Sequence, residues 1–156
     1  MQSSAHQARL NRLHTTFTRT PLYFVTFCTH GRTPLLATDG VHLAFVDFAK
    51  RGDSHGVYVG RYVLMPDHAH LFVSIAEGTT TLSGWMKSLK NSLSKVFRQQ
   101  GHPAPHWQKG FFDHLMRSAD AYSEKWEYVR ANPVRAGLVA TPDAWPYQGA
   151  IHDLRL

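Results

Sequence analysis

The chain has 156 residues, of which 43% are hydrophobic, so its length and composition suit one folded domain with a single core. Its 17 lysines and arginines outnumber its 11 aspartates and glutamates, which gives a formal net charge of +6. This excess favours a polyanionic partner, nucleic acid above all, because counterions are released when phosphates are neutralised. No apolar run is long enough to span a membrane, and we expect no membrane partner. A single cysteine excludes an intrachain disulfide and a zinc site of clustered thiolates, and it suits the cytoplasm.

The first part of the chain predicts an arm, a strand and a helix. Residues 1–20 are polar and basic, and we expect them to precede a single catalytic domain over residues 21–156. Residues 23–29, YFVTFCT, are β-branched and aromatic, which is typical of a half-buried strand. After a Gly-Arg-Thr-Pro turn, Asp39 is the expected N-cap of a helix that ends near Gly52.

The middle of the chain predicts a hairpin followed by a helix. Residues 57–65 and 68–75 are strand-like and are separated only by Pro66 and Asp67, so they should pair antiparallel. Apolar residues then recur at helical period over residues 82–100, with lysines and arginines between them.

The last part of the chain completes the fold prediction. Residues 111–116 predict a fourth strand, and a helix should begin near Ser118 or Asp120. We expect this helix to break at Asn132, because the residue before Pro133 resists the helical conformation. The order of elements matches a ferredoxin-like α+β sandwich, with an antiparallel sheet of four strands, or five, helices on one face, and a further C-terminal helix.

Two histidines share one face of the third predicted strand. Residues two apart in a strand project the same way, so the imidazoles of His68 and His70 lie side by side and could bind one cation. The same spacing fits two ordinary surface histidines in a chain that contains 11, and spacing alone does not decide between these interpretations. A structural zinc is disfavoured, since no further cluster of thiolate or imidazole ligands is evident.

A tyrosine and an asparagine stand one turn apart on the last long helix. Tyr128 and Asn132 could address the same point in space, and Asn132 could supply an amide oxygen to Mg²⁺ or Mn²⁺. A phenol beside such a cation could attack a phosphodiester and form a covalent phosphotyrosine. Alternatively, Tyr128 is a packing residue and Asn132 is the N-cap of a short helix that begins with Pro133. Tyr122 is a rival nucleophile, but it lies on a different face of the helix.

Several segments together resemble a known family. In order, from about Tyr23 to Tyr147, they are YFVTFCT, YVLMPDHAHLFVSI, WQKGFFDHLMRSADAY, EYVRANPVRAGLV and AWPY. They resemble the REP-associated tyrosine transposases, which are bacterial relatives of the single-tyrosine HUH insertion-sequence transposases. The resemblance covers nearly the whole predicted domain, and it implies the sandwich fold.

The resemblance also implies an activity and roles for particular residues. His68 and His70 would be the histidines of the HUH motif, Tyr128 the nucleophile, and Asn132 the third protein ligand of Mg²⁺ or Mn²⁺. The enzyme would cleave and rejoin single-stranded, hairpin-forming repeat DNA through a 5′-phosphotyrosine, and it would work at the nucleoid. Asp113, His114 and Arg117 match the family pattern as well. His114 could donate a proton near the scissile phosphate, or Asp113 and Arg117 could simply form a structural pair.

Other residues are candidates for DNA contact. Trp85 and Trp107 could stack on unpaired bases, although Trp85 belongs to an apolar helical stripe that favours the core. Two rival functions remain: a nucleic-acid-binding module without chemistry, and a phosphoesterase in which water attacks. The sequence does not decide between a monomer and a homodimer. The candidate phosphate-binding residues are Arg9, Arg12, Arg19, Lys87, Lys90 and Arg98.

Overall fold

The computed structural model of the protein describes residues 20–156. The strands are β1 (Leu22–Cys28), β2 (Val57–Leu64), β3 (His68–Ile75), β4 (Phe112–Met116) and β5 (Gln148–Ala150). The helices are α1 (Asp39–Arg51), α2 (Leu82–Gln99), α3 (Ala119–Arg130) and the single turn α4 (Asn132–Arg135). None of the helices formed by the described residues is long and apolar enough to cross a membrane.

The five strands form one antiparallel sheet in the order β4-β1-β3-β2-β5. The predicted α+β sandwich is therefore confirmed, and β5 is the fifth strand. The register aligns Phe112 of β4 with Thr26 of β1, Thr26 with His70 of β3, and His70 with Val63 of β2. Because aligned residues of neighbouring strands project from the same face, these four side chains form one row across the sheet.

Side chains of serine and threonine begin the long helices. Thr38, rather than the predicted Asp39, is the N-cap of α1, and its hydroxyl accepts a hydrogen bond from the Val41 N–H at 3.3 Å. Asp39 is instead the first helical residue, where a carboxylate is stabilised by the positive end of the helix dipole. Ser118 caps α3 in the same way, as predicted, by accepting from the Ala121 N–H at 3.0 Å.

The main core fills the space between one face of the sheet and the helices α1 and α2. Val25, Leu71 and Val73 project from the sheet into this core, and they are inaccessible to solvent. The helices contribute buried residues at helical spacing, among them Val41, Phe45, Trp85, Leu89, Leu93 and Phe97. The largest buried cluster therefore lies on one side of the sheet.

Helix α3 packs on the opposite face of the sheet through two smaller clusters. The ring of Tyr122 meets Phe72 edge-on at a centroid distance of 4.6 Å, and Trp126 meets the same ring at 6.4 Å. Val129 belongs to a second buried cluster that includes Val63, the residue aligned with His70. Helix α3 thus runs toward the part of the sheet that carries the histidines.

The two tryptophans considered for base stacking belong to the protein interior. Trp85 is 6% exposed within the main core. Trp107 packs against Phe27 at 5.5 Å and Phe97 at 5.3 Å, and its indole N–H donates to the Ser94 hydroxyl at 2.9 Å. Trp85 is therefore too buried to stack on DNA, whereas Trp107 is half-buried and its ring is held by these contacts.

Candidate active site

The histidine pair lies on the sheet face that α3 covers. Alternation along β3 turns Ala69 and Leu71 into the main core, where both are inaccessible to solvent, and turns His68 and His70 to the other side. The two imidazole rings are 4.9 Å apart between centroids and meet at 81°. The predicted side-by-side arrangement of the two rings is present in the structure.

One nitrogen of each imidazole is engaged by a neighbouring side chain. The Nδ1 of His68 is 2.8 Å from the carboxylate oxygen of Asp67, and the Nδ1 of His70 is 2.8 Å from the hydroxyl of Thr26. An ionised carboxylate can only accept, so the His68 Nδ1 carries the proton in that bond and the Nε2 presents a lone pair. Hydrogen bonding at Nδ1 is the usual way in which proteins orient a histidine that binds metal through Nε2.

Arg32 stabilises the carboxylate that orients His68. Its Nε donates to the second carboxylate oxygen of Asp67 at 2.9 Å, and its Nη1 contacts the Cys28 sulfur at 3.2 Å. Partial burial opposes ionisation of Asp67, but the hydrogen bonds from His68 and Arg32 outweigh it and hold the carboxyl pKa below its usual value. Asp67 is therefore a carboxylate at neutral pH, as its role toward His68 requires.

His70 is neutral and has positive charge around it. Burial, followed by the charges of His68, Lys125, Arg135 and Arg32, lowers the pKa of His70 to about 3. A neutral imidazole keeps a lone pair for a metal, whereas an imidazolium does not. The surrounding arginine and lysine side chains favour an anionic ligand such as a phosphodiester.

Tyr128 is exposed on α3, one turn after a lysine that lies near the histidine pair. Tyr128 is 64% exposed, whereas the next residue of the helix, Val129, is buried. Lys125, one turn earlier, holds its ammonium 5.3 Å from the centroid of the Phe24 ring, and that ring stacks on His70 at 5.3 Å. Residues three apart share a side of a helix, so Tyr128 faces the same region as Lys125.

Arg135 links Tyr128 to Asn132. Its guanidinium lies 4.0 Å from the centroid of the Tyr128 ring, and its Nη2 donates to the Tyr128 carbonyl at 2.6 Å. The same nitrogen donates to the side-chain oxygen of Asn132. The two residues predicted to act together therefore share one partner.

The alternative that Asn132 caps the following turn is wrong. Ala131 occupies the N-cap position of α4, and no side chain caps that turn. The break between α3 and α4 falls at Ala131, one residue before the predicted Asn132, and Asn132 is itself the first helical residue of α4. The amide oxygen of Asn132 is thus directed to Arg135 and is not consumed by a backbone N–H.

Tyr122 is unsuited to be the nucleophile. It packs edge-on against Phe72 and under the guanidinium of Arg61, which lies 5.9 Å from its ring centroid. Burial raises the pKa of the Tyr122 phenol, which opposes formation of the phenolate. Its role is to seat α3 on the sheet.

The three residues near β4 do not form one group. His114 aligns with Phe24 and projects from the face that carries the histidine pair, whereas Asp113 aligns with Val25 and projects from the other face. His114, Asp113 and Arg117 are all exposed. Over residues 20–156 there is no ion pair between Asp113 and Arg117, so only His114 shares a surface with the candidate site.

The basic residues predicted to contact phosphates occupy different parts of the molecule. Lys87 and Arg98 are exposed on α2, across the sheet from the histidines. Lys90 is partly buried, and its ammonium donates to the carbonyl of Gly110 at 2.6 Å and to that of Gln108 at 3.3 Å. Arg9, Arg12 and Arg19 lie outside the described residues.

The side chains near His68 and His70 limit how a metal ion could be bound. Within the part of the chain that the structure describes, no three or more histidines, cysteines, aspartates or glutamates form a group suited to a metal ion. A cation bound by His68 and His70 would therefore need a further ligand of another type, and an amide oxygen such as that of Asn132 fits this requirement.

Comparison with known proteins identifies the family. The model of the family described as Transposase IS200 like matches residues 20–131. A Haemophilus influenzae protein, provisionally named a REP-associated tyrosine transposase, is 24% identical over 149 residues, which cover 89% of this chain and 85% of the relative. A REP-associated tyrosine transposase of Escherichia coli K12 is 27% identical over 89 residues, covering 57% of this chain but only 52% of the relative.

A solved structure agrees with the fold. A REP-associated tyrosine transposase bound to a REP hairpin superimposes with a TM-score of 0.67 at 23% identity, covering 82% of this chain and 75% of that one. The resemblance found in the sequence motifs is thereby confirmed. The chain belongs to the IS200-like transposase family, and it is an enzyme that cleaves and rejoins DNA.

Proposed function

We propose that the protein is a metal-dependent single-stranded DNA endonuclease and strand transferase that acts on hairpin-forming repeat DNA through a 5′-phosphotyrosine intermediate. The observation that carries the proposal is the pair of imidazoles with hydrogen-bonded Nδ1 atoms on the sheet face where the tyrosine helix packs. The hairpin substrate is suggested by the REP hairpin in the similar solved structure. Because the substrate is DNA, the reaction belongs to the cytoplasm, at the nucleoid.

The donor atoms fit a divalent cation, Mg²⁺ or Mn²⁺. His68 and His70 would bind it through Nε2, and Asn132 through its amide oxygen, which keeps a lone pair while it accepts from Arg135. Nitrogen and oxygen ligands together suit Mn²⁺ well, whereas Mg²⁺ prefers oxygen. When bound, the cation would polarise the scissile phosphate as a Lewis acid.

Cleavage is a transfer of the phosphoryl group to tyrosine. The Tyr128 hydroxyl oxygen attacks phosphorus and loses its proton to solvent. The bond from phosphorus to the 3′ oxygen breaks, and that oxygen takes up a proton to become a 3′-OH. We assign this proton to His114, which is exposed on the same sheet face. The phosphotyrosine bond retains the energy of the phosphodiester, so a 3′-OH can attack it and rejoin the strand without ATP.

The charges around the site suit this substrate. Arg32, Lys125 and Arg135 all act on His70 electrostatically, and their positive charge would stabilise the anionic phosphorane as it forms. More distant phosphates would be bound by the basic arm of residues 1–20, which precedes the single catalytic domain. The residues of the arm that we assign to such contacts are Arg9, Arg12 and Arg19, whereas Lys87, Lys90 and Arg98 lie on α2, across the sheet from the histidines.

A gel assay tests the proposal. The protein is incubated with a labelled single-stranded hairpin and Mn²⁺, and the products are separated in SDS. We expect an SDS-resistant adduct that is lost in Tyr128→Phe, in His68→Ala and on addition of EDTA. Tyr122→Phe is the matched control, because it removes a phenol from the same helix but should leave the adduct unchanged.

Two other results would contradict the proposal. Cleavage without an adduct would mean that water, and not tyrosine, attacks the phosphate. Binding without cleavage, under conditions in which all variants are folded, would indicate a nucleic-acid-binding module.

A further inference from the structure

Phe112 is an aromatic side chain left open to solvent beside the candidate site. It is 66% exposed. The other phenylalanines and tryptophans of residues 20–156 are buried or half-buried. A single exposed apolar residue is common on protein surfaces and carries no conclusion by itself. The position of Phe112 in the sheet, however, supports a role in binding.

The sheet register sets Phe112 two strands from His70. Phe112 aligns with Thr26, and Thr26 aligns with His70 and is hydrogen-bonded to its Nδ1. All three therefore project from the same face, and two strand spacings amount to about 10 Å. Thr26, between them, is small, so it does not screen the Phe112 ring from a molecule lying over the histidines.

β4 is an edge strand, and the face beside it is positively charged. β4 is at the end of the strand order, so no other strand of the described sheet covers its outer side. Arg32, Lys125 and Arg135 act on His70 from around the same face. An anionic backbone would follow these cations, while an unpaired base next to it could lie on the exposed ring.

We propose that Phe112 is a base-stacking site for an unpaired nucleotide that flanks the scissile phosphate. This inference rests on the proposed function, because it takes single-stranded DNA as the ligand. Any base can stack on a phenyl ring, so the site holds the strand in position without reading its sequence. Phe112 is thus a positioning residue, and its ring is more exposed than those of Trp85 and Trp107.

The test measures binding without cleavage. All variants are made in a Tyr128→Phe background, and their affinity for a fluorescein-labelled hairpin with a single-stranded flank is measured by anisotropy. We expect Phe112→Ala to bind about 5- to 150-fold more weakly, which is the range for loss of one stacked base. Phe112→Tyr should bind like the parent, and Leu43→Ala, which alters an equally exposed apolar residue on α1, should also have no effect.

Abasic DNA identifies the contact. One nucleotide of the flank at a time is made abasic. At one position, the abasic DNA should bind the parent protein as weakly as intact DNA binds Phe112→Ala. Phe112→Ala should bind that abasic DNA and the intact DNA with the same affinity. Parent-like affinity of Phe112→Ala, or equal additional losses at every abasic position, would overturn the proposal. If Phe112→Ala is unfolded by circular dichroism, Phe112→Leu replaces it; Phe112→Leu binding like the parent would likewise overturn the proposal.

The two proposals fail separately. Absence of a covalent adduct in the protein with Tyr128 intact would refute the proposed chemistry. The anisotropy comparison does not depend on that adduct, so it would still decide whether Phe112 stacks on a base.

Discussion

Replacing Thr26 with valine removes the hydroxyl that orients His70 while keeping the volume of the side chain. The hydroxyl lies 2.8 Å from the His70 Nδ1. Burial, with the nearby positive charges, lowers the pKa of His70 to about 3, so the ring is neutral and carries one proton. If His70 binds the metal through Nε2, as proposed, its proton is on Nδ1 and the Thr26 hydroxyl accepts it, so valine removes the contact that favours this tautomer. A net hydrogen bond contributes about 0.5–1.5 kcal/mol, and about 1.4 kcal/mol corresponds to a tenfold change in affinity.

We therefore expect Thr26→Val to bind Mn²⁺ about tenfold more weakly, at the lower end of the range of about 10- to 100-fold for partners of metal ligands. Isothermal titration calorimetry with Mn²⁺ measures this directly, without any DNA. Thr26→Ser is the matched control, because it keeps the hydroxyl and should bind within about threefold of the wild type. Equal affinity of Thr26→Val and the wild type would refute the reasoning. Equal weakening by valine and serine would show that any change in the shape of this side chain disturbs the site, so the hydrogen bond would not be the specific cause.

Two further perturbations test neighbours of the site. The pKa of Asp67 lies below its usual 3.8 in the folded protein, so its ionised form contributes stability that is present above this value and is lost as pH falls through the folded pKa. Asp67→Asn should thus unfold at lower urea concentration than the wild type at pH 7, and the difference should shrink as pH falls through the folded pKa of Asp67. A difference independent of pH would count against the ion pair. Arg135→Ala should slow adduct formation about tenfold, since it removes the guanidinium that contacts both Tyr128 and Asn132. Arg135→Lys should be slowed less because it keeps the charge, and unchanged rates in a quenched time course of both variants would exclude such a role.

Periodic features of the fold were predictable from the sequence. β3 has the bounds that were predicted, residues 68–75. A strand with one buried face requires apolar residues at every second position, and this alternation is visible in the sequence. The break after α3 was predictable to within one residue because Pro133 lacks the N–H that a continuing helix needs, although Asn132 before it adopts the helical conformation as the first residue of α4. The N-cap of α1 was off by one residue because threonine and aspartate are both good caps and stand side by side at positions 38 and 39.

The surroundings of the histidines were not predictable in the same way. Thr26 meets His70 only because β1 and β3 pair in one particular register, and Arg32 reaches Asp67 from a turn 35 residues away in sequence. A single sequence gives the faces of each strand but not the register between strands that are distant in the chain. Asp67 carried a local signal, since a carboxylate directly before a histidine can orient it. The same limitation explains why Trp107, which follows a loop, was expected at the surface.

The two faces of the sheet differ in how firmly they hold what covers them. α1 and α2 share the large core, whereas α3 is attached through two small groups of aromatic and aliphatic side chains. Local opening requires less free energy where fewer apolar contacts must be broken. We therefore expect the helix that bears Tyr128, the proposed nucleophile, to open more readily than α1 or α2, and a DNA strand joined to Tyr128 would move with it.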